Sequence, residues 1–329
     1  MTTIAAPLPV SVQAKPRVPR SVFIALALGI LAGASAGIST RYALAEGMSP
    51  LAIAFFRLVL AWMLLTPIVL SRYMDDLRRL TRRDLLWGTI AGVIMALHFV
   101  LWSASLAFAS VMVATVIVCS SPIWAAVFEV TFLKEKLTRL ILIGLMLAVI
   151  GNIIIALASS ASGGTNQIIG GFLAMIAAIA IAVQRTIGRD LRRRLPIFPF
   201  LWFVYGCGAL FLTLIMFVTG TPVIGYSPRG YFWVFMLTLL PQLMGHGSFN
   251  YALGYFSATI TSLIVQLQPP ISTVIAFLVF HEVPGVLQLV GAVVIISGVV
   301  MAVRGRQIES ASHDETTITP QQIVSSSPR

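Results

Sequence analysis

The chain has 329 residues, of which 58% are hydrophobic and only 10% are charged. A water-soluble protein of this length needs more polar surface than such a composition supplies, so a soluble globular fold is excluded. The formal net charge of +11 would suggest a nucleic-acid partner in a soluble protein, but the basic residues stand in short segments between long apolar runs. We therefore expect a lipid bilayer, and no nucleic acid, as a partner.

Ten apolar runs have about the length, ~20 residues, that a helix needs to cross the hydrocarbon core of a membrane. They predict an all-α integral membrane protein with ten transmembrane helices. The runs are Val22 to Tyr42, Leu51 to Leu70, Leu85 to Ala107, Val111 to Leu133, Leu140 to Leu157, Ile168 to Ile187, Phe198 to Val218, Tyr231 to Leu253, Ala258 to Phe280 and Leu287 to Val303.

The distribution of basic residues predicts the orientation of these spans. With the N-terminus in the cytoplasm, 19 of the 22 Lys and Arg residues fall on the cytoplasmic side. Arg41 and Arg229 are then outside, and Arg57 is inside a span. Because positive residues concentrate in cytoplasmic loops, both termini are expected to be cytoplasmic, in a bacterial inner membrane.

An internal repeat relates the two halves of the chain. A shift of 147 gives ten identities over the 48 positions from Ser110 to Leu157, among them Pro122 on Pro269, Glu135 on Glu282, Gly144 on Gly291 and Gly151 on Gly298. A shift of 148 relates the earlier parts and brings Arg41 onto Arg189 and His98 onto His246.

Five helices per repeat is an odd number, so the second repeat must enter the membrane inverted relative to the first. Two inverted five-helix repeats are the architecture of many secondary transporters. The expected organisation is a cytoplasmic N-tail over residues 1–20, a first repeat over 21–158, an extracytoplasmic linker over 159–167, a second repeat over 168–304, and a disordered cytoplasmic tail over 305–329.

From residue 20 to 304 the chain resembles the drug/metabolite transporter superfamily, specifically the EamA-like transporters with two EamA repeats. The resemblance rests on Arg57, on Pro122 followed by Lys134-Glu135-Lys136, and on the glycines and the second-repeat equivalents named above. It implies transport of amino acids or similar metabolites, usually outward. The second repeat departs from the pattern because Tyr205 stands where Arg57 would recur.

Polar side chains within spans are candidates for substrate binding, because they are unfavourable in lipid unless they face a cavity or a partner. His98 and Trp102 are four residues apart on the third span, and His246 and Asn250 repeat this spacing on the eighth, with Gln242 one turn earlier. We expect these faces to meet across a central cavity. The alternative is that each histidine only makes a hydrogen bond between packed helices.

Prolines near the centres of the fourth and ninth spans predict breaks in these helices. The backbone groups that a break frees, and the side-chain amides beside it, are expected to bind a polar ligand. A curved helix without a ligand is the alternative. The residues concerned are Ser120, Ser121 and Pro122 in the first repeat and Gln266, Gln268 and Pro269 in the second.

Several charged residues lie near predicted helix ends, and for some of them two roles remain open. Arg57 either extends to the membrane interface or attracts a substrate carboxylate within the cavity. Glu129 is expected near the interface beside Lys134. Glu135 and Glu282 are expected in turns at helix ends, in structural roles or as latches of the gates.

These features favour a transporter of a small-molecule substrate, as a monomer or homodimer, that works by alternating access. Multidrug-cation efflux is an alternative, although the first span lacks the carboxylate that small multidrug exporters use. A non-transporting polytopic protein is another. We find no catalytic motif, nucleotide-binding loop or metal-ligand spacing, and Cys119 and Cys207 lie in apolar runs, so no catalysis, cofactor, metal or disulfide is expected.

Overall fold

The computed structural model of the protein describes residues 18–158, 165–280 and 284–316, and every regular element in these ranges is a helix. The helices of the first repeat are α1 (Arg20–Gly33), α2 (Ala36–Ala45), α3 (Pro50–Arg72), α4 (Met74–Arg78), α5 (Arg82–Phe108), α6 (Val111–Val118), α7 (Ser121–Phe132) and α8 (Arg139–Ala158). Those of the second are α9 (Gln167–Arg192), α10 (Ile197–Thr219), α11 (Pro228–Leu237), a π-helical segment (Thr238–His246), α12 (Gly247–Ala252), α13 (Ala258–Val265), α14 (Gln268–Phe280) and α15 (Val286–Thr316).

Nine stretches within the described ranges are long and apolar enough to cross a membrane. Large apolar side chains such as Phe217 and Ile168, each 85% exposed, cover the outside of the bundle, where a soluble protein would place polar residues. The predicted all-α membrane fold is therefore confirmed.

The predicted count of ten spans is not exact. The eighth predicted span, Tyr231 to Leu253, falls on α11, the π-helical segment and α12 rather than on one α-helix. Pro241 lies inside this segment and cannot donate a backbone hydrogen bond, so the local pattern widens to the π form. The chain remains helical through this region, and the π-helical segment carries Gln242 and His246.

Helices of the two repeats pack against each other in pairs. α1 packs against the π-helical segment. The repeat relates α1 to α9 and the π-helical segment to part of α5, and α9 and α5 also pack against each other. α3 packs against its counterpart α10, and α8 packs against its counterpart α15. In the fourth and ninth spans, α7 packs against α13. The contacts therefore follow a two-fold relation between the repeats.

The crossing of α8 and α15 shows this relation most closely. A Cβ atom added to Gly144 would lie 2.4 Å from the carbonyl oxygen of Gly298, and one added to Gly291 would lie 2.7 Å from that of Gly151. Because Gly291 and Gly298 are the repeat equivalents of Gly144 and Gly151, the two contacts are images of each other. Glycine is required at this crossing to let the two backbones touch.

Two helix breaks lie at equivalent places. α6 ends at Val118 and α7 begins at Ser121, just before Pro122; α13 ends at Val265 and α14 begins at Gln268, just before Pro269. Both α6 and α13 begin with a serine cap, since the side chains of Ser110 and Ser257 each accept a backbone hydrogen bond of 3.2 Å. The prolines thus divide the fourth and ninth spans into two short helices each.

The C-terminal end differs from the prediction. α15 continues to Thr316, beyond the predicted end of the last span at Val303. Residues such as Arg306, Glu309 and Ala311 have high helix propensity and extend a helix that the apolar part already nucleates. Residues 1–17, 159–164 and 317–329, on which other predicted boundaries fall, lie outside the described residues.

Candidate functional site

A cavity of about 670 Å³ lies between the two repeats. It extends to the end of the bundle where α8 ends and α15 begins, since Ala156 and Gln288 line it there. Small-molecule sites typically have volumes of about 300–1,000 Å³, so the cavity has the size for a metabolite. Eight residues predicted to bind substrate line it: Arg57, His98, Trp102, Ser121, His246, Gln266, Gln268 and Pro269.

Arg57 is buried in the bundle, with 2% of its surface exposed. Its Nε donates to Oε1 of Gln242 over 2.7 Å, and its guanidinium carbon lies 3.9 Å from the ring centroid of Phe99. Its Nη2 has no hydrogen-bond partner among the described residues. The interpretation in which Arg57 extends to the membrane interface is therefore wrong, because tertiary contacts hold its side chain at the cavity wall.

The two histidines lie beside each other. Their ring centroids are 6.1 Å apart, and the ring of Phe99 lies 5.1 Å from that of His98 and 5.0 Å from that of His246. Nδ1 of His98 donates to the carbonyl oxygen of Ala177 over 2.8 Å, which leaves its Nε2 as an acceptor in the neutral ring. His98 thus makes the hydrogen bond between helices and also lines the cavity; its binding of substrate stays a prediction.

The two helix breaks meet at the cavity. Nε2 of Gln266 donates to the carbonyl oxygen of Cys119, its own equivalent in the first repeat. The side-chain amide of Gln268 lies against Gly33 of α1, where an added Cβ would be 1.9 Å from its Nε2. Gly33 thus leaves the space that this amide occupies at the cavity wall.

Four other predicted residues have protein partners instead of a place in the cavity lining. Oε1 of Gln242 accepts the hydrogen bond from Arg57 described above. Asn250 accepts a hydrogen bond from Nε2 of Gln184 over 3.2 Å and donates one to the carbonyl oxygen of His246 over 2.7 Å. Oγ of Ser120 lies 3.8 Å from Sδ of Met175. Pro122, the fourth, starts α7 next to the lining residue Ser121.

Arg185 also lines the cavity, although the prediction of orientation counts it among the basic residues on the cytoplasmic side. It is 4% exposed, and its Nη1 donates to Oγ of Ser262 over 2.9 Å. That count is wrong for Arg185, because α9 extends to Arg192 and carries Arg185 inside the bundle. The helical spacing Ala178, Ile181, Arg185 is the sequence signal that places this arginine on the buried face.

A third arginine, Arg41 of α2, lines the cavity nearer its open end. Its Nη2 donates to the carbonyl oxygen of Ala109 over 3.1 Å, at the residue before the serine cap of α6. The three arginines come from α2, α3 and α9, so both repeats contribute positive charge to the cavity.

The opposite end of the bundle is closed by a buried ion pair. Glu129 of α7, 0% exposed, accepts from Nη1 of Arg189 over 2.8 Å and from the amides of Ala258 and Thr259 over 2.7 and 3.0 Å. Nη2 of Arg189 lies 2.9 Å from Oε1 of Glu135. The interfacial placement predicted for Glu129 is thus wrong, because these donors hold its carboxylate inside the bundle.

Glu135 therefore takes part in an ion pair at the closed end of the bundle. Its predicted role is either structural or that of a latch of the gate. Which of these roles it has stays a prediction. Glu282, its equivalent in the second repeat, lies outside the described residues.

Comparison with known proteins identifies relatives along most of the chain. The model of the EamA-like transporter family matches twice, at residues 20–157 and 168–304. The uncharacterized transporter YdfC of Bacillus subtilis is 25% identical over 276 residues, which cover 83% of this chain and 87% of that protein. An uncharacterized transporter of Clostridium kluyveri is 22% identical over 76% of this chain and 82% of that protein.

A third relative, from Streptantibioticus cattleyicolor, bears the name "Probable terminal-alkyne amino-acid exporter" and is 26% identical over 60% of this chain and 67% of that protein. A solved crystal structure matches with a TM-score of 0.71 at 16% identity and covers 88% of this chain and 99% of its own; this likeness shows the fold alone. With two family matches and named transporter relatives, the chain belongs to the EamA-like transporter family, of the drug/metabolite transporter type, and is a multi-pass membrane transporter.

Proposed function

We propose that this protein is a secondary transporter that exports amino acids or similar small polar metabolites across the inner membrane of a bacterium. The observation that carries the proposal is a cavity that extends to one end of the bundle, while the Glu129–Arg189 ion pair closes the other. The relative named as an amino-acid exporter supports this class of substrate. We assign no catalytic activity, since the family and the relatives are transporters.

The proposed mechanism is alternating access, in which the two repeats exchange the end that is open. In the described arrangement the substrate lies between the repeats, contacts Arg57, His98 and His246 at the cavity wall, and leaves through the open end. Opening of the other end requires Arg189 to separate from Glu129 and Glu135. The ion pair therefore stabilises the arrangement in which that end is closed.

The positive-inside rule supports an orientation with both termini in the cytoplasm. The segment Lys134 to Arg139 and the end of α9 then lie on the cytoplasmic side. In this orientation the closed end faces the cytoplasm and the cavity is open to the outside.

Efflux of drug cations is disfavoured by the same cavity. Three arginines line it, and none of its described lining residues is Asp or Glu. A cation would find no carboxylate there and would be repelled by the arginines.

The test is counterflow in proteoliposomes with labelled amino acids, including acidic, aromatic and sulfur-containing ones. We compare the wild type with the double variant His98→Ala, His246→Ala, and with Thr213→Ala, on the outside of α10, as a matched control. Saturable exchange that is lost only in the double variant supports both transport and the cavity as its site. Exchange that survives in the double variant would move the site elsewhere, and folded protein that exchanges no amino acid would contradict the substrate class.

A further inference from the structure

The cavity has an uncompensated positive charge. Arg41, Arg57 and Arg185 line it, and none of the lining residues that the structure describes is acidic. Charges on the walls of a narrow low-dielectric cavity act on a ligand more strongly than charges on a surface in water. The cavity therefore attracts anions and repels cations.

Arg57 provides a directed donor for an anion. Gln242 occupies its Nε and the ring of Phe99 covers one face, but Nη2 is buried and has no partner among the described residues. A buried donor without an acceptor is unfavourable, so a ligand that supplies the acceptor is stabilised. A guanidinium group fits the two oxygens of a carboxylate or a phosphate.

Arg185 provides a second positive group from the opposite repeat. Its partner in the structure is the neutral hydroxyl of Ser262, and none of the ion pairs of the described residues includes it. Arg189, one turn further along α9, is in contrast held by two carboxylates. The charge of Arg185 is therefore available to a ligand in the cavity.

A neutral amino acid fits this lining poorly. Its carboxylate would bind one arginine, but its ammonium group would stay near the other positive charges without an acidic partner among the described lining residues. A molecule with two negative charges, on two carboxylates or on one phosphate, would neutralise two arginines, and an acidic amino acid keeps a net negative charge despite its ammonium group.

We propose that the transported substrate is a small organic acid with net negative charge, whose acidic oxygens, on two carboxylates or on a doubly charged phosphate, bind Arg57 and Arg185. This inference rests on the proposed function, because it takes the cavity as the transport site. The acidic groups are carboxylates or phosphates, which the same guanidinium chemistry binds. Acidic amino acids and dicarboxylates belong to this class, and so do phosphorylated organic acids.

The test is counterflow in proteoliposomes that contain the full chain, with labelled succinate, glutamate, glycerol 3-phosphate, leucine and lysine. We expect saturable exchange of at least one of the first three compounds, and little exchange of leucine or lysine. Arg57→Gln and Arg185→Gln should each weaken the exchange of the anion about tenfold or more, as expected when a charged hydrogen bond is lost. Arg57→Lys should recover part of it, because it restores the charge without the planar fork.

Arg78→Gln is the control, since Arg78 is an exposed arginine away from the cavity. Quenching of tryptophan fluorescence by succinate or glycerol 3-phosphate measures binding separately, so that a variant that folds but does not transport still reports on the site. The preferred compound of the first three distinguishes carboxylate from phosphate as the acidic group.

Two results would separate this inference from the proposed function. Saturable exchange of leucine that neither succinate, glutamate nor glycerol 3-phosphate inhibits would overturn the inference and leave the proposed function standing. Folded protein that exchanges none of the five compounds, and no other amino acid, would contradict both.

Discussion

Arg189 and Arg41 occupy equivalent positions in the two repeats, yet their surroundings differ. Arg189 lies between two carboxylates, with Nη1 2.8 Å from Glu129 and Nη2 2.9 Å from Glu135. Arg41 donates to the main-chain carbonyl of Ala109, lines the cavity, and has no carboxylate partner within the described residues. Within the described residues, the closed end of the bundle thus has an ion-pair network that the open end lacks.

The difference shows that closure depends on local charge and not on the shared fold alone. The repeat equivalent of Glu129 is Ala276, so the second repeat has no counterpart of this buried carboxylate. Glu129 also accepts from the first two amides of α13, where the positive end of the helix dipole stabilises its charge. The two halves are therefore similar in fold, and Glu129 is a residue that distinguishes their ends.

The largest effect is expected from Glu129→Gln, which removes the distinguishing charge. The variant leaves the Arg189 side chain, 11% exposed, with Glu135 as its remaining carboxylate, and replaces one acceptor of α13 amides by a donor, so we expect a loss of about 3–5 kcal/mol of stability. Denaturation of the purified protein in detergent measures it. Asp75→Asn, in the exposed Asp75–Arg78 pair, is the control. A loss below about 1 kcal/mol would show that the ion pair does not hold the closed end.

An intermediate effect is expected in cysteine labelling, which tests whether the two ends differ in access. In a background with Cys119→Ala and Cys207→Ala, Thr115→Cys at the cavity wall should react quickly with a water-soluble maleimide. Ala258→Cys, beside Glu129, should react slowly. Adding Glu129→Gln should speed the second reaction about tenfold, the factor that corresponds to ~1.4 kcal/mol of preference for the closed arrangement.

Equal labelling at the two positions in the otherwise unchanged protein would remove the distinction between an open and a closed end. Labelling of Ala258→Cys that Glu129→Gln leaves unchanged would assign the closure to helix packing instead of the ion pair.

The smallest effect is expected from Glu135→Gln, which separates the two carboxylates on Arg189. The Glu135 side chain is 37% exposed, whereas that of Glu129 is 1% exposed, so water screens its attraction to Arg189. We expect a loss of about 0.2–1 kcal/mol in the same denaturation measurement. A loss as large as that of Glu129→Gln would place the main closing contact at Glu135.

Hydrophobic runs and the prolines within them were sufficient to predict the all-α membrane fold and the helix breaks beside Pro122 and Pro269, because both signals are local in sequence. The hydrogen bond that joins Arg57 to Gln242 could not be predicted, since it links residues 185 positions apart. The count of basic residues placed Arg185 on the cytoplasmic side, because the positive-inside rule assigns a basic residue near the end of a span to the adjacent loop. The structure shows that helix α9 continues past it.

The glycine crossing of α8 and α15 has a consequence for movement between the halves. Gly144 meets Gly298, and Gly291 meets Gly151, so an exchange of the two repeats maps this contact onto itself. A contact that is its own image does not have to break when the halves exchange roles. The α8–α15 crossing can therefore serve as the fulcrum about which the remaining helices tilt.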